Sequence, residues 1–268
     1  MTEMKKGKDI MAFWEQGPPM GFIGEDMSYE RKREFRYSLQ DYMNDTFKFD
    51  SFNGKLVLEL GCGAGIDSAE FARNGASVVS SDFTQIATQS TKSLLEEAQL
   101  PAQVVRTDAT SLPFKNDTFD CVYSFGVLHH IPDVERSLAE IARTLKPGGQ
   151  VMVMLYNHDS LLYGYSIVYL RGIKDGLLEH STMEEILDQY SERKEDNPHT
   201  LVYTKEEAKA LFSQYFEVNS VEVRYNVIDL PQQRKVRVNL PNEYELGWHL
   251  IIKCQKPTKV RTQSEVRR

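Results

Sequence analysis

The chain has 268 residues, 41% of them apolar, and a net charge of −7. That length suits one large α/β domain with additions, and the apolar share supports a sizeable core. The acidic balance argues against a general nucleic-acid-binding surface, which is usually basic. The cysteines, Cys62, Cys121 and Cys254, are three in number and far apart, so neither a disulfide framework nor a zinc spacing is present, and no metal site is expected. No apolar run approaches a membrane span, and the N-terminus lacks the apolar core of a signal peptide, so a cytoplasmic location is expected.

Residues 1–12 are polar. The stretch FWEQGPPMGFIGED follows, rich in Gly, Pro and aromatics and without helical or strand periodicity. Its large apolar groups, Phe13, Trp14 and Phe22, make either a clasp on the domain surface or a lid over a ligand. Tyr29 to Phe47 is helical in pattern, with Phe35, Leu39, Tyr42 and Met43 at helical spacing.

Leu56 to Leu60 reads as a strand buried on both faces, with Glu59 the exception. Gly61, Gly63 and Gly65 follow at alternate positions, a turn where another group can approach the backbone closely. Asp67 and Ser68 are candidate caps for a helix running to about Asn74. Strand, glycine turn and helix start together form a ligand cradle with free backbone N–H groups. The spacing is not that of the dinucleotide fingerprint: the third glycine comes one position early, and Ile66 stands where the last glycine belongs.

Ala76 to Ser81 is a second strand ending at Asp82, about 20 positions after the first glycine, where a carboxylate can accept from ribose hydroxyls. Asp82 can also be a helix N-cap, but Thr84 can fill that role for the helix from Thr84 to Ala98. Gln103 to Arg106 is a third strand, followed by Asp108, either an acceptor for a purine amine or a turn aspartate. Phe119 to Phe125 is a fourth strand and leads into Gly126-Val127-Leu128-His129-His130. A helix from Val134 to Leu145 ends at Lys146-Pro147-Gly148-Gly149, and Val151 to Tyr156 is the fifth strand. Strands alternating with helices imply right-handed crossovers and a parallel sheet, whose ligands sit beyond the carboxyl ends of the strands. Gly61, Asp82, Asp108, Gly126 and Asn157 all fall at those ends.

Residues 157–203 read as an inserted helical cap containing Tyr163, Tyr165 and Tyr169. Thr204 and Glu207 form a capping box for a helix to Tyr215. Phe216 to Tyr225 and Gly247 to Lys253 are strands, joined by a loop over 226–246. The expected organisation is a single domain, with an N-terminal lid and helix at 13–50, a core at 54–156, the cap at 157–203, and a last helix and strands at 204–257.

The residues ELGCGAG at 59–65, Asp82, Asp108-Ala109, LPF at 112–114, FD at 119–120, SFGVLHHIPD at 124–133 and LKPGG at 145–149 resemble, in order and spacing, the class I S-adenosylmethionine-dependent methyltransferases. The likeness covers roughly 54–156 and is strongest to the branch that methylates small molecules, including quinone enzymes. It implies a Rossmann-like seven-stranded sheet with helices on both faces and an antiparallel hairpin at the end. It implies that Gly61 and Gly63, with Cys62 between them, lie against the methionine part of S-adenosylmethionine, with Glu59 near its amino group. Asp82 would bind ribose, Phe83 would pack on adenine, Asp108 would hold the adenine amine with Ala109 beside it, and Phe125 and Val127 would line the floor.

A methyl acceptor that is a hydroxyl or protonated nitrogen benefits from a base, for which His129, His130 and His158 are the candidates near the strand ends. The two histidines at 129 and 130 can equally be structural parts of their turn. The acceptor pocket is expected between the N-terminal aromatics Phe13, Trp14 and Phe22 and the cap tyrosines Tyr163, Tyr165 and Tyr169, because the strand ends are committed to cofactor. The rival readings are a non-catalytic partner protein of the same fold and a nicotinamide-dependent oxidoreductase. The sequence leaves the acceptor atom and the oligomeric state open.

Overall fold

A computed structural model describes residues 10–16, 27–192, 199–230, 233–241 and 244–258. Its centre is a seven-stranded sheet in the order β3-β2-β1-β4-β5-β9-β6. The strands are β1 (Leu56–Leu60), β2 (Ser77–Asp82), β3 (Ala102–Arg106), β4 (Phe119–Phe125), β5 (Leu145–Tyr156), β6 (Glu217–Arg224) and β9 (His249–Gln255). The first five run parallel, and β9 is antiparallel to both β5 and β6. The order reverses between β1 and β4, so the crevice at that switch point lies where parallel sheets take their ligands.

Burial on both faces explains the apolar runs. Val57, Cys121, Tyr123, Met152 and Met154 face one core with Phe47, Phe49 and Phe71. Leu58, Leu60, Val122, Val151 and Val153 face the other with Leu138, Ile141 and Phe212. Successive residues of each strand thus feed opposite layers, as the period of two requires.

Three local expectations change. The segment from Tyr29 to Phe47 is two helices, Tyr29–Leu39 and Met43–Phe47, because Gln40 leaves the helical region at φ −128°. Asp67 and Ser68 do not cap the helix Ile66–Arg73: Gly65 occupies the N-cap at φ 81°, and both side chains turn into the core. The stretch 226–246 contains a hairpin of β7 (Val227–Leu230) and β8 (Gln233–Arg237). Its prolines and basic residues hid the alternation that pairs it. The capping box of the helix Lys205–Ser213 is present at Thr204 and Glu207. Within the cap, Leu162–Lys174 is a π-helix, and a second capping box, Thr182 with Glu185, starts the helix Met183–Tyr190.

The helix Tyr29–Leu39 is held to the helix Ile66–Arg73 by a buried charge pair. Arg36 Nη2 donates to Asp67 Oδ2 at 2.7 Å and its Nε to Oδ1 at 3.2 Å. Tyr37 and Tyr123 donate their hydroxyls to the same carboxylate at 3.0 and 2.8 Å. Burial works against the Arg36 charge, but the adjacent Asp67 carboxylate more than offsets it and holds the guanidinium above its ordinary pKa. Stripping one partner from such a pair strands a buried charge. Arg36→Met should therefore cost about 3–5 kcal/mol in urea denaturation. The double variant Arg36→Met/Asp67→Leu should lose much less than the sum of the two single losses. Additive losses would show that the pair is not coupled.

Candidate functional site

The carboxyl ends of β1, β2, β4 and β5 open into one cavity of about 1100 Å³. At the end of β1, the three turn glycines have φ of 77°, 52° and 81° at Gly61, Gly63 and Gly65. A Cβ on Gly61 would stand 2.1 Å from Val127 Cγ2, on the loop after β4. Only a glycine fits that approach, so backbone and not side chain faces the cavity there.

The end of β2 fixes this turn. Asp82 Oδ2 accepts from Gly63 N–H at 3.1 Å, and Oδ1 accepts from the Thr84 N–H and hydroxyl, each at 2.9 Å. Thr84 Oγ1 in turn accepts from Ala87 N–H at 3.3 Å, capping the helix Gln85–Glu97. Asp82 is thus not the cap. Its Oδ2 accepts one hydrogen bond from the turn and has a second lone pair free of that bond. Burial pushes its carboxyl above the ordinary value, against the lowering from those N–H donors.

Glu59 lies beneath the glycine turn and also lines the cavity. It accepts from the Ser68 hydroxyl, which also meets Ser80 Oγ at 2.5 Å. Burial, then the neighbouring Asp67, raises its carboxyl well above the usual range. At the end of β3, Asp108 is exposed and accepts from Thr110 N–H and hydroxyl, each at 2.8 Å, so it is a turn aspartate as well as a cavity residue. Cys62, Phe83, Ala109, Phe125 and Val127 line the same space. The ten positions expected around the cofactor are therefore brought together.

The other end of the cavity is aromatic. Trp14, Tyr156, Tyr225 and His249 line it with His130 and Glu192. Tyr42 fixes His249 through its hydroxyl, 2.5 Å from Nδ1, and Tyr225 stacks on the same ring at 4.6 Å. The Arg36 guanidinium lies 4.5 Å from the Phe125 ring centre. Residues 10–14 form a helical turn, and Glu15 behind it accepts from Gln85 and Ile86 N–H at 2.8 and 3.2 Å. The Gln85 N–H chiefly lowers the Glu15 carboxyl, and Arg106 pairs with it at 3.2 Å. The N-terminal segment is thereby latched over the start of the helix Gln85–Glu97 with Trp14 facing inward.

The three histidines separate. His130 reaches the cavity, His129 is buried behind it, and His158 is exposed beside Asp159 at 2.8 Å. Of the expected acceptor aromatics, only Trp14 lines the cavity. Phe13 is buried edge-on against Trp14 at 4.9 Å, and Phe22 lies outside the described residues. Tyr165 and Tyr169 are 42% and 48% exposed and stack on each other, while Tyr163 packs on His158. The cap supplies Glu192 instead. Its position in the charged run SERKED reads as a solvated face, which is why sequence reasoning missed it. Tyr225 and His249 were missed because they lie just after β6 and at the start of β9, distant in sequence from the rest of the cavity. The lone histidine in the apolar run WHLII was the available signal.

Residues 58–153 match a family described as a methyltransferase domain. A demethylmenaquinone methyltransferase of Thermobifida fusca is 38% identical over 111 residues, 41% of this chain and 47% of that protein. A ubiquinone biosynthesis O-methyltransferase of Coxiella burnetii is 31% identical over 118 residues, 44% of this chain and 50% of that protein. The chain thus spans about half the length of the curated relatives it matches. Among solved structures, an S-adenosylmethionine-dependent methyltransferase of Methanosarcina mazei aligns with a TM-score of 0.56 at 19% identity, over 80% of this chain and 98% of that one. Another from Aquifex aeolicus gives 0.55 at 12%, over 86% and 100%. A cyclase also aligns, with a TM-score of 0.53 at 16% over 88% and 85%. That neighbour is a reminder that this fold alone does not fix the chemistry.

Glu59 yields a test of the site's electrostatics. Its raised folded-state pKa means that the folded chain holds this proton to higher pH than the unfolded chain does. Stability from this group is therefore full at low pH and is lost as pH rises from the ordinary carboxylate value toward the raised one. Glu59→Gln removes that loss, so its stability relative to the parent should rise as pH climbs above the ordinary carboxylate value. Parallel denaturation midpoints across that range would show Glu59 to be ionised at no cost.

Proposed function

We propose that the core of this chain is a class I S-adenosylmethionine-dependent methyltransferase domain, which moves a methyl group from S-adenosylmethionine to a small-molecule acceptor held in the same cavity. The observation that carries this reading is a single cavity with two chemically different ends. One end is glycine backbone and strand-end carboxylates; the other is aromatic.

The residues present fit the cofactor. The bare turn at Gly61 and Gly63 admits the methionine chain, and Glu59 beneath it suits an ammonium group. Asp82 Oδ2 is placed for the ribose, Phe83 and Ala109 for the faces of the adenine, and Asp108 for its amine. Phe125 and Val127 form the floor beside Cys62. Bound S-adenosylmethionine supplies a methyl group already activated by its sulfonium, leaving the protein chiefly to orient and desolvate.

Trp14, Tyr156, Tyr225 and His249 enclose the acceptor end and suit a planar ring. The quinone-pathway names of the relatives support an acceptor of that shape. A proton lost by the acceptor is released where His130 and Glu192 stand. His130 is thus favoured over His129 and His158 among the candidate polar groups. Trp14 closes this end through the Glu15 latch, which keeps water from the transfer.

Labelled methyl transfer to phenolic and hydroquinone acceptors tests the reading. Trp14→Ala should lower turnover by about tenfold or more. It should leave S-adenosylmethionine affinity within about threefold, because Trp14 serves the acceptor end. Unchanged turnover would remove Trp14 from the acceptor wall, and transfer to none of these acceptors would contradict the acceptor class.

A further inference from the structure

At the acceptor end, the two adjacent histidines of the loop after β4 meet a carboxylate from the cap. The donor atoms of His129, His130 and Glu192 all lie within 4.8 Å of one another. Both histidines are buried and Glu192 is partly buried. The set comes from two elements far apart in sequence, so no local turn accounts for its convergence.

The hydrogen bonds fix which atoms face which. His130 Nδ1 lies 2.8 Å from the His199 carbonyl oxygen. A carbonyl only accepts, so Nδ1 carries a proton and Nε2 is the ring nitrogen turned toward the carboxylate. Nε2 lies 3.5 Å from Glu192 Oε1. The Tyr156 hydroxyl donates to the same Oε1 and orients the carboxylate. The His129 ring packs against both neighbours, 4.3 Å from His130 and 3.8 Å from Tyr156.

We propose that His129, His130 and Glu192 bind a divalent cation of the zinc type, whose open position faces the acceptor end of the cavity. Two imidazoles and one carboxylate suit a first-row transition ion and not magnesium or calcium, which take oxygen ligands. An outer partner is already in place: the His199 carbonyl accepts from His130 Nδ1 and fixes its tautomer, as outer partners of metal-bound histidines do. Ligand distances of about 2.0–2.2 Å require the donors to close to about 3–4 Å apart, a small contraction of the present set. His130, Tyr156 and Glu192 line the cavity, so the ion is open to it on that side. The cation there would hold an acceptor bearing a hydroxyl and favour its deprotonated oxygen. This last role rests on the methyl-transfer reading above; the binding itself does not.

The test is titration of the full chain, freed of metal by chelation, with zinc and with cobalt. Calorimetry reads affinity and visible absorption reads the cobalt ligand field. One ion per chain is expected. His130→Ala and Glu192→Gln should each weaken it by about tenfold or more. His158→Ala, an exposed histidine away from the set, should leave it unchanged, and magnesium should not compete. The same variants are titrated with S-adenosylhomocysteine, whose retained binding shows that they remain folded and keeps a negative metal result separate from a failure of the methyltransferase reading. Absence of binding, or equal loss in His158→Ala, would overturn the site.

Discussion

The contact on which the site depends is the approach of Gly61 to Val127. It leaves no room for a side chain between the end of β1 and the loop after β4. With no Cβ there, the backbone of the turn becomes a wall of the cavity. Asp82 then holds the turn in place by accepting the Gly63 N–H, so the second strand end is tied to the first. A group that shapes the turn and also lines the cavity is hard to replace. Asparagine at 82 would place an amide donor against an N–H donor on one side or the other.

Around this turn the protein buries more charge than an apolar core would tolerate. Arg36, Asp67 and Glu59 lie within one connected patch beneath the cavity, each nearly inaccessible to water. Arg36 and Asp67 neutralise each other, with two tyrosine hydroxyls completing the carboxylate. Glu59 has only hydroxyl and distant charge for company, and its raised pKa records the imbalance. A cationic ligand group at that point would relieve it. The same patch anchors the helix Tyr29–Leu39, so the wall of the cavity and its charge balance are set by one side-chain network. A carboxyl whose pKa is strongly raised in a cleft is a common mark of a binding site.

The core and the glycine-and-carboxylate end of the cavity were legible in the sequence because their signals are local. The apolar run of β1, the alternate glycines and the acidic residue closing β2 lie within one βαβ unit, and Thr84 capped its helix as expected. Asp67 was misread because an aspartate after a glycine turn looks like a cap, whereas its partner, Arg36, lies 31 residues earlier. The aromatic end of the cavity was not legible for the same reason. Trp14, Tyr156, Glu192, Tyr225 and His249 come from five separate segments, and nothing in any one of them marks the meeting. The tyrosines of the cap were the more conspicuous aromatics, but their helical spacing turned Tyr165 and Tyr169 outward. Among the described residues no helix is long and apolar enough to cross a membrane.

The most direct measurement of the central claim is calorimetric titration of the chain with S-adenosylmethionine and, separately, with a nicotinamide dinucleotide. Saturable binding of S-adenosylmethionine at one site, abolished by Gly61→Val and absent with the dinucleotide, is the result expected of a turn whose backbone faces the ligand. Binding of the dinucleotide instead, or S-adenosylmethionine affinity unchanged in a folded Gly61→Val protein, would contradict it.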